Sequence, residues 1–75
     1  METGLLWFDD NPKVAFASKV ESAARRYRER FGKLPDVCYV HPQTLVGAVS
    51  MPAHVQVIAL STVRPDHFWI GVRSR

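Results

Sequence analysis

Two groups of side chains in this 75-residue chain are of types and spacings that do covalent or metal chemistry. Asp9 and Asp10 are consecutive carboxylates placed directly after the apolar run Leu5-Leu6-Trp7-Phe8 and ahead of a helix start signal. In α/β folds ligands gather at the carboxyl ends of strands, so the pair marks the centre of a small metal-dependent enzyme, if the chain is one. That chemistry needs a third acid or a lysine close by, and the distal acids Asp36 and Asp66 both fall in turn signals. Favourable charge at a helix N-terminus accounts for the pair without catalysis. Cys38-x-x-His41, together with His54 and His67, offers thiolate and imidazole ligands of the kind zinc accepts. The spacing matches no zinc pattern, and Cys38 lies inside the apolar run Val37–Val40, where a small buried thiol is the commoner role. Activation of Cys38 as a nucleophile would need a helix N-terminus or cationic surroundings, and a strand centre supplies neither. The reading therefore assigns no catalytic residue, no metal ligand and no cofactor, and expects a protein that is not an enzyme.

A third group is basic. The formal charge of +3 is unevenly placed: residues 1–12 carry a net −3, residues 13–33 a net +5, and residues 34–75 a net +1. Lys19, Arg26, Arg30 and Lys33 fall along one flank of a helix, with Arg25 and Arg28 beside them. Such a run can follow phosphates, with strongly salt-dependent affinity, so Lys19, Arg25, Arg26, Arg30 and Lys33 are the candidates for nucleic-acid contact. The bland alternative is a solvated helix whose last turns suit its own dipole. The chain has no Gly-rich phosphate loop and no RNA-recognition signature.

The elements that must position these residues follow from local pattern. Leu5–Phe8 reads as a buried strand. Asn11 as cap and Pro12 at the first helical position open a helix over about residues 12–31, with Ala17, Val20, Ala24, Tyr27 and Phe31 as its apolar stripe and Gly32 as its stop. Val37–Val40 reads as a second strand, closed by His41-Pro42. Residues 43–53 are ambiguous, because Gly47 weakens a helix and Pro52 ends one. Val55–Thr62 is β-branched and strand-like, Val63-Arg64-Pro65-Asp66 resembles a hairpin connection, and Phe68–Val72 returns as the last strand. The expected fold is α/β, bordering on α+β: a two-layer domain over residues 1–75 with one long amphipathic helix on a mixed sheet of about four strands. Its order is β-α-β, an irregular or short helical crossing, then a β-β hairpin. A helix between the first two strands makes them parallel if they share a sheet.

Alternation then divides the strands into two faces. Leu6, Phe8, Cys38, Val40, Ile58, Leu60, Phe68, Ile70 and Val72 are expected on one, and Trp7, Tyr39, His41, Val57, Ala59, His67, Trp69 and Gly71 on the other. Both faces are apolar or aromatic, and one helix covers only one of them. Either residues 42–53 fold across the second face, or a second copy or protein partner covers it, or it serves as an aromatic platform for nucleic-acid bases. The expected interface residues are Trp7, Tyr39, His41, His67 and Trp69.

Composition bounds the rest. At 47% hydrophobic and 23% charged the chain is globular rather than disordered or fibrous. The single cysteine rules out an internal disulfide and suits a reducing compartment. No apolar run approaches the roughly 20 residues that span a bilayer, and Met1–Leu6 lacks a signal-peptide pattern, so a cytoplasmic location without membrane attachment is expected. In word order, Gly4-Leu5-Leu6-Trp7-Phe8-Asp9-Asp10-Asn11-Pro12, Tyr27-Arg28-Glu29-Arg30-Phe31-Gly32, Val37-Cys38-Tyr39-Val40-His41-Pro42 and His67-Phe68-Trp69-Ile70-Gly71 resemble a set of short uncharacterised bacterial proteins. The resemblance implies no activity, cofactor or substrate. The expected function is that of a small interaction module, self-associating or a subunit of a larger assembly, acting through an aromatic sheet face or an edge strand.

Overall fold

The computed structural model describes residues 4–73; Met1–Thr3 and the Ser74-Arg75 end lie outside the described residues. Its elements are β1 (Gly4–Phe8), α1 (Phe16–Phe31), β2 (Val37–Val40), a 3₁₀ turn (Pro42–Leu45), β3 (Gln56–Ala59) and β4 (His67–Gly71). One helix lies on a mixed four-stranded sheet, as the periodicity predicts.

The helix begins at Phe16, four residues later than Pro12, and Ala15 at its N-cap makes no side-chain cap bond. The reason is local competition. Asp9 Oδ1 accepts from the Asn11 N–H at 2.9 Å, Asn11 Oδ1 accepts from the Lys13 N–H at 3.0 Å, and the Asn11 carbonyl accepts from the Val14 N–H at 3.2 Å. These side-chain and turn bonds satisfy the backbone in a non-helical form. Once started, the helix turns Phe16, Val20, Ala23 and Tyr27 into the core. Each large apolar side chain so buried contributes roughly 1.5–3 kcal/mol. Gly32 ends the helix at φ 77°, its N–H donating to the Arg28 carbonyl at 2.8 Å.

The strand order is β1-β4-β2-β3. β4 is antiparallel to both β1 and β2, so β1 and β2 run in the same direction with β4 between them, and β3 is parallel to β2. This corrects the expected hairpin: β3 and β4 flank β2 and do not pair. The connecting residues do turn, with the Val63 N–H on the Leu60 carbonyl and the His67 N–H on the Arg64 carbonyl, both at 3.1 Å. They carry the chain past the end of β2 instead of folding it back on β3. Burial decides the order. Phe68 and Ile70 are fully buried and gain most from neighbours on both sides, whereas β3, with Gln56 and Ala59 exposed, tolerates an edge.

Register fixes the faces. Leu5, Ile70, Cys38 and Val57 form one cross-strand row and Trp7, Phe68, Val40 and Ala59 a second, both on the helix side. The helix lies over β4 and β1. Leu45, Ala48 and Val55 pack against the same core, so the irregular segment extends the helix layer and does not cross to the second face.

Candidate interaction face

The side of the sheet turned away from the helix carries a row that runs across all four strands: Leu6, Trp69, Tyr39 and Ile58. Phe8 and His67 form the start of a second row, their rings 4.9 Å apart and tilted by 52°. At the opposite end Gly4, Gly71, Val37 and Gln56 are aligned, and there Val37 is only 1% exposed, so that corner is closed and the open part of the face lies toward Leu6 and Phe8. Leu6 is 57% and Phe8 55% exposed, while Tyr39, Ile58, His67 and Trp69 are half-buried by their neighbours. Thr62, Val63 and Arg64 wall one end of a hollow of about 420 Å³ with Leu6, His67 and Trp69 on its floor. Among the described residues, no helix or strand packs over this face.

Of the expected interface residues, Tyr39, His67 and Trp69 lie on it. Trp7 does not: it pairs with Phe68 and packs against the core beneath the helix. Leu6, Phe8 and Ile58 take the places expected for Trp7, Val57 and Ala59. Because side chains alternate with period two, pairing Leu5 rather than Leu6 with Ile70 exchanges the whole of β1 between faces. Leu5-Leu6-Trp7-Phe8 is apolar throughout, so no signal in the sequence separates Leu6 and Phe8 from Leu5 and Trp7; only a partner strand sets the phase. His41 sits just beyond β2, where its Nδ1 accepts from the Gln43 N–H at 3.0 Å and caps the 3₁₀ turn. The Nδ1–H of His67 donates to the Pro65 carbonyl at 2.9 Å, which orients its ring against Phe8.

The basic candidates are on the other layer. Lys19 Nζ donates to the Asp9 carbonyl at 3.3 Å and so is turned toward the sheet end. Arg26 pairs with Glu29 at 3.4 Å, and the Arg30 guanidinium lies 5.8 Å from the centre of the Phe31 ring. Arg25 lines a groove between the helix and residues 52–55 with Arg28, while Lys33 is exposed past the helix end. None of the five stands beside the aromatic row; the cation that does is Arg64, in the hollow with Leu6, His67 and Trp69.

The chemical candidates also disperse. Asp9 holds the turn at Asn11, and Asp36 Oδ1 accepts from the Arg73 N–H at 2.8 Å. Among the described residues no group of three or more His, Cys, Asp or Glu side chains comes together to hold a metal ion. Cys38 is fully buried under the helix, and burial pushes its thiol up to about 12, so it keeps its proton across neutral pH. Thiolate chemistry is unfavourable there. No helix among the described residues is long and apolar enough to cross a membrane. The chain matches no protein-family model, no curated protein and no solved structure.

Proposed function

We propose that this protein is a non-enzymatic, self-associating interaction module whose open sheet face packs against a second copy. The observation that carries the reading is the Leu6–Trp69–Tyr39–Ile58 row, continued by Phe8, on a face over which no helix or strand packs among the described residues. Large aromatic side chains dominate interface energetics when desolvated, and a contiguous apolar patch on a small domain is normally an interaction site. A second copy fits because the row bears no charge: two such faces meet without burying an unpaired ion, whose desolvation is costly. An acidic partner or a phosphate backbone would instead be drawn to the helix layer, where Arg25, Arg26, Arg28 and Arg30 cluster.

The test is absolute mass in solution by light scattering behind a sizing column, for the natural chain and for Trp69→Ala. A defined oligomer that loses mass on substitution, with its helical circular dichroism intact, is the expected result. An unchanged mass, or loss of the fold without a prior change in association, would assign Trp69 to the core and overturn the reading.

A further inference from the structure

The open face is small for its task. Four strands about 4.8 Å apart, two of five residues and two of four, cover a projected area of about 290 Å². A stable complex buries about 800 Å² per partner. Even allowing for side-chain relief, one sheet face falls short, and the structure offers a way to enlarge it.

β3 is an edge strand. The Gln56 N–H donates to the Asp36 carbonyl at 2.9 Å and the Leu60 N–H to the Val40 carbonyl at 2.7 Å, so even-numbered residues of this segment turn their backbone inward to β2. By alternation, the N–H and C=O groups of Val57 and Ala59 point away from the sheet. Among the described residues no backbone group outside the sheet bonds to either. Native edges are ordinarily guarded by charge, proline or a bulge. β3 has none: from Val37 to Val63 the chain contains no Asp, Glu, Lys or Arg, and Gln-Val-Ile-Ala pairs with β2 residue for residue. The other edge, β1, runs directly into Asp9 and Asp10.

We infer that β3 is a strand-pairing edge and that its occupant is the β3 of a second copy, antiparallel about a two-fold axis. This inference rests on the reading of the protein as self-associating. The register that uses only strand residues centres on Ile58. Val57 then exchanges hydrogen bonds with Ala59 of the other copy, and Ala59 with Val57, giving four new bonds. The two Ile58 side chains become a close cross-strand pair on the open side. An uncharged strand pairs with itself without setting like charges opposite each other, which is the argument for a second copy over a charged partner segment. The product is a continuous sheet of eight strands whose aromatic face is doubled to about 580 Å² in projection. Side-chain relief brings that within reach of a standard interface, so edge-paired dimers can then stack face to face.

Residue-resolved amide hydrogen exchange tests the pairing, read on the full chain across a dilution series. Slow exchange at Val57 and Ala59 in concentrated protein, lost on dilution while Gln56 and Leu60 stay protected, is the expected result. Ala59→Pro removes an outward donor that the chain itself does not use, and should weaken the pairing about 30-fold through two lost bonds per dimer. An oligomer in which Val57 and Ala59 exchange as fast as in dilute protein overturns the edge pairing and leaves the face reading intact. Protection at both amides in a protein whose mass Trp69→Ala does not change supports the edge and overturns the face reading. A monomer at every concentration overturns both.

Discussion

Phe8→Thr separates association from folding most cleanly. Phe8 is 55% exposed in the single chain. With about 200 Å² for a phenylalanine side chain, roughly 110 Å² is free to be covered by a partner. At about 25 cal/mol/Å² full coverage is worth about 2.8 kcal/mol per copy. If a partner covers half, each copy contributes about 1.4 kcal/mol, and symmetry doubles this to about 2.8 kcal/mol, or about 100-fold in the association constant. The cost to folding is the roughly 90 Å² already buried, at most about 2 kcal/mol, and threonine retains strand propensity. A domain with a stability of about 5 kcal/mol or more survives that loss. The assay is sedimentation velocity over a concentration series, with circular dichroism to verify the fold. Leu34→Ser is the control, because Leu34 is 65% exposed but lines the groove beside the helix. Equal weakening by the two substitutions, or none by Phe8→Thr, would refute the assignment of the open face as the association surface.

Two further outcomes follow from the core and the helix end. Burial raises the Cys38 thiol from 9.0 to about 12. Above pH 9 the unfolded chain therefore releases a proton that the folded chain keeps, and stability should fall by about 1.4 kcal/mol per pH unit until the folded thiol also titrates. Cys38→Ala should flatten the urea-midpoint profile between pH 9 and 11 relative to the natural chain, and parallel profiles would contradict the burial. Gly32 has φ 77° with nothing within 4 Å of an added Cβ, so Gly32→Ala should cost only the left-handed backbone strain, about 1–2 kcal/mol. Thermal unfolding reads this loss; a larger one would mean that the helix end makes contacts the structure does not show.

The elements themselves were legible in the chain. Apolar residues three and four apart required a helix through Val20 and Tyr27, Gly32 required its end, and the β-branched and aromatic runs around Cys38, Val57 and Trp69 required strands. The excess of aromatic surface over what one helix covers was legible too, because it is a matter of counting. What sequence pattern could not settle was phase and partnership. The helix start moved to Phe16 because three local hydrogen bonds around Asn11 compete with helical ones, and their balance depends on where Phe16 finds its core contact with Phe68. Residues 45–55 joined the helix layer, and β4 entered between β1 and β2, because Phe68 and Ile70 are best buried with strands on both sides. The faces of β1 and β3 then followed from pairing alone: period-two alternation says that Leu6 and Trp7 point oppositely, but only the bonds to β4 say which one meets the helix. Local chemistry determined which residues are strand, helix and turn. The tertiary structure decided which aromatics are core and which form the open face, since that choice is made by long-range register and not by any residue's own preference.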